Sequence, residues 1–68
     1  MSRVLEKLDR VLELLAERER TLEELKTETS LSDETLNLVI DFFVAYDFAE
    51  RRNNHIRPTD RGRKFLEL

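Results

Sequence analysis

The sequence predicts one small, mainly helical domain in which three helices are followed by a β-hairpin and a last helix. Two observations predict this class. Apolar residues recur at helical spacing in three successive segments, and the period then changes to short alternating stretches around Asn53-Asn54. No repeat, linker or low-complexity segment interrupts residues 1–68, so a single domain is expected.

The first helix is expected from about Ser2 to Arg18. Its apolar stripe comprises Val4, Leu8, Val11 and Leu15, with Leu5 and Leu12 beside it. Leu14 lies about a quarter to a third of a turn outside that stripe. Two interpretations of Leu14 therefore stay open, an edge of the core and a contact surface.

The second helix is expected from its cap. Residues 21–24, Thr-Leu-Glu-Glu, are typical of a capping box, in which a Thr hydroxyl and a later Glu satisfy the free amides of a helix start. Leu22 and Leu25 then face inward. A polar break at residues 28–30 is expected to end the helix.

The third helix is expected from Ser32, which can act as N-cap, to about Tyr46. Acidic residues in its first turn suit the helix dipole. Its inward stripe comprises Leu36, Val39, Ile40 and Phe43.

The β-hairpin is expected between two short alternating stretches, residues 48–51 and 55–57. Asn53-Asn54 suits its tight turn because Asn tolerates positive φ. Pro58 cannot donate to a β-ladder and is expected to end the second strand. Thr59 can then cap the last helix, whose expected buried residues are Phe65 and either Leu66 or Leu68.

Three stretches of the sequence, residues 21–36, 41–51 and 56–66, carry a family resemblance. In this order and spacing they resemble the winged helix-turn-helix superfamily, in particular its small archaeal and bacterial transcriptional regulators. The last stretch is similar to the family's x-L-T-x-x-G-x-x-F-L phrase, with Pro58 in place of Leu. The resemblance implies a winged-helix fold in which the third helix is the recognition helix and the hairpin is the wing.

Three departures from the family pattern bear on fold and function. Asp47 stands where the family usually has Gly, and we expect it in the left-handed region, which Asp tolerates. Asn53-Asn54 replaces the more common Gly-containing turn of the wing. DNA-reading relatives usually carry basic or amide side chains on the exposed face of the third helix. Here that face offers Glu34, Asn37, Leu38, Asp41 and Ala45.

The net charge of −3 is unevenly distributed along the chain. Residues 21–50 contain eight acidic residues and one lysine, whereas residues 51–68 contain six basic and two acidic residues. A binding partner therefore experiences the local charge of each region rather than the net charge of the chain.

The basic end of the chain predicts binding to double-stranded DNA. The expected contacts on the wing and last helix are Arg51, Arg52, Asn53, Asn54, His55, Arg57, Arg61, Arg63 and Lys64. Such a wing can lie along a phosphate backbone or enter a minor groove. On the third helix Asn37 and Thr35 are candidate contacts, although a single Asn on a helix is more often merely solvated. The alternative is that these basic residues balance the acidic middle within one molecule.

The acidic third helix predicts a different function, docking of a protein in a transcription or replication assembly. No Lys or Arg lies between Ser32 and Tyr46, and the acidic residues there would repel phosphates. The candidate protein contacts are Leu38, Asp41 and Val44, unless the wing or the last helix covers the two apolar ones. Of the two functions, the charge of the wing favours DNA binding.

A homodimer is also expected, because a core this small gains from association. The apolar residues left over on the first and last helices, Leu14, Leu66 and Leu68, are the candidate contacts. Relatives of this type often pair through those elements.

Catalysis, cofactors and metals have no support in the sequence. The chain has no cysteine, and His55 is its only histidine, so no pattern of metal ligands is present. Gly62 is the only glycine, which excludes a glycine-rich phosphate loop. We therefore expect no enzyme, no cofactor and no small-molecule substrate. The longest charge-free stretch, residues 35–40, is too short to span a membrane, and the cytoplasm is the expected compartment.

Overall fold

The computed structural model describes residues 3–67, with side chains described from Glu6 to Phe65. Its elements are α1 (Arg3–Glu17), β1 (Arg20–Thr21), α2 (Leu22–Thr29), α3 (Asp33–Ala45), β2 (Ala49–Arg52), β3 (His55–Pro58) and α4 (Asp60–Glu67). The predicted class, mainly helical with a small hairpin, and the predicted order of helices and hairpin are confirmed. No helix in this part of the chain combines the length and apolarity needed to cross a membrane.

The sheet contains one strand that the sequence did not predict. β1 pairs with β3, so that three antiparallel strands lie in the order β1-β3-β2. Arg20 of β1 lies opposite Ile56, and Leu22 just after β1 donates its backbone N–H to the carbonyl of Asn54 at 3.2 Å. This pairing holds the N-terminus of α2 against the hairpin. The arrangement is compatible with a winged helix.

The core lies between α1, α2, α3 and the sheet. All four residues of the predicted α3 stripe are buried, as are Leu25 of α2 and Ile56 of β3. From α1 the buried residues are Val11, Leu12, Leu14 and Leu15. For these residues the predicted helical core is confirmed, and the hairpin closes it from one side. Leu8 and Leu22 are only partly buried at its edge, and the side chains of Val4 and Leu5 lie outside the described residues.

Leu14 and Phe65 are exceptions to the predicted burial. Leu14 is 2% exposed and belongs to the core, so its assignment to a contact surface is wrong. The reason is that α2, β3 and α4 all pack on α1, which widens its buried face beyond one stripe. Phe65, expected in the core, is 48% exposed: its ring packs against the half-buried ring of Phe48, with centroids 5.0 Å apart, at the edge of the domain. Leu68 and the side chain of Leu66 lie outside the described residues.

The helix caps and turns have local causes that the sequence shows. Thr21 and Glu24 form the predicted capping box, and the Ser32 hydroxyl accepts from the N–H of Thr35 at 3.2 Å. Thr59 accepts from the N–H of Gly62 at 3.0 Å and so caps α4. Asp47 has a φ of 63° and Asn53 a φ of 55°, which confirms the left-handed region at Asp47 and the turn at Asn53-Asn54.

The capping box of α2 predicts an acid-sensitive contribution to stability. The Arg18 guanidinium, 2.9 Å from the Glu24 carboxylate, and the backbone N–H of Thr21 lower the pKa of Glu24 from 4.5 to about 2. Because the folded pKa lies below the ordinary value, the unfolded chain takes up this proton first. The contribution is therefore complete above pH 4.5 and is lost as pH falls towards 2.

We expect Glu24→Gln to flatten the dependence of the urea midpoint on pH in that acid window. Glu13→Gln, at an exposed position of α1, is the matched control and should keep the wild-type slope. Equal slopes for Glu24→Gln and the wild type would show that the charge of the Glu24 carboxylate does not stabilise the fold.

Candidate interaction surfaces

The arginines of the β2–β3 hairpin mostly face carboxylates. Arg51 Nη2 lies 3.0 Å from Asp41 Oδ1 of α3, and Arg57 Nε lies 3.3 Å from Glu50 Oε2 of the adjacent strand. Only Arg52 of the three has no carboxylate within 4.0 Å among the described side chains. Two of the three predicted phosphate contacts are therefore already paired.

The end of the hairpin is also flanked by acidic residues. Asn54 Nδ2 donates to Glu23 Oε1 at 2.6 Å, and His55 Nδ1 lies 2.8 Å from Glu19 Oε2. Few acidic residues neighbour the hairpin in sequence, but the β1–β3 pairing brings these two beside it. Most of the basic residues of the hairpin thus face acidic residues of the same molecule, as the alternative interpretation of the sequence expects.

The basic residues of α4 do not extend the hairpin into one positive surface. Arg63 pairs with Asp60 at 3.2 Å, and Arg61 lies 5.4 Å above the ring of Phe48. A groove of about 830 Å³ lies between the end of α1, the outer side of β3 and α4. Its arginines are Arg18, Arg57, Arg61 and Arg63, and its acidic residues are Glu17, Glu19, Asp47, Glu50 and Asp60. This balance gives a polyanion little net attraction.

The two candidate base-reading side chains in the first turns of α3 form hydrogen bonds within the helix and its cap. Asn37 Nδ2 donates to the carbonyl of Asp33 in its own helix at 2.9 Å, and the Thr35 hydroxyl accepts from that of Ser32 at 3.1 Å. Lys26 of α2 pairs with Asp33 at the start of α3 at 2.8 Å. Both predicted α3 contacts with DNA are therefore engaged in local hydrogen bonds.

A continuous set of apolar side chains runs along one side of α3 and continues through Phe48 onto α4. We call it the aromatic surface; it consists of Leu38, Phe42, Tyr46, Phe48 and Phe65. Leu38 is 65% exposed, and Tyr46 is 57% exposed. The ring centroids of Phe42 and Tyr46 are 4.7 Å apart, those of Tyr46 and Phe48 6.4 Å, and those of Phe48 and Phe65 5.0 Å.

The candidate protein contacts predicted on α3 fall on different sides of the helix. Leu38 belongs to the aromatic surface. Val44 is exposed but lies about 160° around the helix from Phe42, and Asp41 turns towards Arg51. Phe42 and Tyr46 were not predicted as contacts, although Leu38, Phe42 and Tyr46 recur every four residues beside the core stripe and so share one side of α3.

Among the described residues no group of three or more His, Asp or Glu side chains is placed to hold a metal ion. Comparison of the chain with protein-family models, curated proteins and solved structures finds no match. The function is therefore inferred from the chemistry of the surfaces.

Proposed function

We propose that this chain is a winged-helix interaction module that docks a protein through the aromatic surface. The observation that carries the proposal is the continuity of that surface. Four of its five side chains are exposed large apolar residues, and successive rings along it lie within contact range. Soluble domains rarely expose contiguous apolar patches unless they bind something there.

The chemistry of the aromatic surface fits a protein partner better than a nucleic acid. Interface centres are enriched in Tyr and Phe and depleted of charge, as this surface is. Glu34 and Asp41 on the outer face of α3 would repel phosphates. The partner is expected to present apolar side chains to the surface.

The winged-helix assignment is supported by the order of the elements, the capped α2 and α3, the left-handed Asp47 and the third strand beside the hairpin. Through the family resemblance, a transcription or replication assembly in the cytoplasm is the setting that we propose.

A second candidate, binding of duplex DNA by the hairpin, is favoured by Arg52. Its guanidinium faces no described carboxylate, and it lies beside the Asn53-Asn54 turn where a phosphate backbone can approach. The Arg51 and Arg57 ion pairs are exposed, and exposed pairs are worth only about 0–1 kcal/mol. Phosphates can therefore replace Asp41 and Glu50 as partners.

One set of variants separates the two functions. For the docking function, Leu38→Ala should weaken the affinity for a purified protein partner at least about tenfold, because Leu38 is the most exposed side chain of the aromatic surface and its truncation removes apolar contact area. Val44→Ala, an exposed apolar change on the other flank of α3, and Arg52→Ala should leave that affinity unchanged. The measurement is calorimetric titration, and capture of a protein from an extract does not count without it. Equal affinities for Leu38→Ala and Val44→Ala would exclude docking at this surface.

For the DNA function, the same chain is titrated with duplex DNA at varied salt. Arg52→Ala should weaken binding about equally across sequences and lower the salt slope by about one. Asp41→Asn should strengthen binding or leave it unchanged, because it removes a repulsive charge. No binding at about 50 mM salt, where electrostatic contacts are strong, would exclude this candidate.

A further inference from the structure

We infer that the occupant of the aromatic surface is a second copy of this chain, related to the first by a two-fold axis. The inference rests on the proposed function, because it takes the aromatic surface as a docking site and names its partner. The observation that supports it is the distribution of charge at the two ends of that surface.

The two ends of the aromatic surface carry opposite charge. Glu34 lies one turn before Leu38 on the outer side of α3, and it forms no ion pair with any described side chain. At the other end, the Arg61 guanidinium lies 5.4 Å over the Phe48 ring and one turn before Phe65. Arg61 likewise has no carboxylate within 4.0 Å among the described side chains. An acidic end and a basic end therefore flank one apolar strip.

A two-fold axis through the middle of such a strip is self-complementary. In an isologous interface each contact occurs twice, with the roles of the two copies exchanged. The α3 end of one copy then lies against the α4 end of its partner. Glu34 of each copy meets Arg61 of the other, while Phe42 and Tyr46 pack near the axis. A partner with an apolar face but a single sign of charge would match only one end.

This surface replaces the one that the sequence predicted for the homodimer. Leu14 is buried in the core and is not available for contact between copies. The dimer inferred here uses α3 and α4 instead of α1 and α4. It also covers the acidic outer side of α3, the part of the molecule least suited to DNA.

The test is a charge exchange between two variants of the full chain. In a dimer of Glu34→Arg, both contacts between positions 34 and 61 pair two arginines. In a dimer of Arg61→Glu, both of these contacts pair two glutamates. Each variant alone should dimerise at least about tenfold more weakly than the wild type, since like charges across an interface are unfavourable. Mixed in equal amounts, the two variants should form a heterodimer of near wild-type affinity, because both contacts then pair opposite charges.

Sedimentation velocity of each variant and of the mixture measures this, with thermal melts to confirm that both variants fold. Glu13→Arg, an exposed charge reversal on α1, is the control and should dimerise as the wild type does. A wild-type monomer at high micromolar concentration would overturn the inference, as would a dimer whose affinity neither reversal changes or a mixture that fails to recover. A monomer that still binds another protein in a Leu38-dependent way would overturn only the second copy as partner. If nothing binds at Leu38, the proposed function fails with it.

Discussion

Phe43→Ala is expected to leave this chain largely unfolded at room temperature. Phe43 is the last residue of the α3 stripe and is buried, with its ring centroid 6.0 Å from that of Phe42 and 6.4 Å from that of Phe48. Truncating a buried Phe costs about 3–5 kcal/mol. A domain of this length has a total stability of the same order, about 0.05–0.15 kcal/mol per residue. One substitution can therefore remove most of it.

The measurement is a thermal melt followed by circular dichroism, with Val44→Ala as the matched control. Val44 is an apolar residue on the same helix, but it is exposed, so its truncation should cost well below 1 kcal/mol. If Phe43→Ala stays soluble and melts cooperatively near the wild-type temperature, Phe43 does not hold the core together.

Features with local causes could be predicted from the sequence. The Thr21 capping box, the Ser32 and Thr59 caps and the left-handed Asp47 each depend on residues within a few positions of one another. The α3 stripe depends only on helical periodicity. For such elements the residue types that favour the structure stand next to each other in the chain.

Features that depend on pairing between distant segments could not be predicted. β1 has two residues, too few for an alternating pattern, and it exists because β3 lies beside it. Leu14 is buried because three other elements meet α1. Phe65 is half-exposed because it packs on the ring of Phe48 at the edge of the domain. In each case the deciding contact joins residues far apart in sequence.

The candidate site shows the same division. Counting charges along the chain correctly gives a basic end, but Asp41, Glu19 and Glu23 reach the hairpin only through the fold. The aromatic surface was partly visible as a four-residue repeat on α3. Its continuation through Phe48 to Phe65 required the position of α4.

The clearest case of distant pairing is Arg20, whose side chain is 4% exposed although it lies in a charged stretch of the sequence. Its Nη1 donates at 2.8 Å to the carbonyl of Leu14, which also accepts the backbone N–H of Arg18 at 3.4 Å at the end of α1. Its other nitrogens meet Glu28 Oε1 at 3.1 Å and Glu17 Oε1 at 3.2 Å. Hydrogen bonding to Glu28, against the opposing effect of burial, raises the pKa of Arg20, so the guanidinium stays charged. One side chain thus joins α1, β1 and α2.

Arg20→Met is therefore expected to cost about 3 kcal/mol, the low end of the range for breaking a buried ion pair. The low end applies because Glu17 and Glu28 reach solvent and stay hydrated when the guanidinium is lost. Arg20→Lys keeps the charge but cannot donate to both glutamates and the Leu14 carbonyl in the same planar fork, so its cost should lie between those of the wild type and Arg20→Met. Urea unfolding at neutral pH measures both variants. If Arg20→Met is as stable as the wild type, apolar packing at this site contributes as much as the whole ion network, and the junction of α1, β1 and α2 does not need its charge.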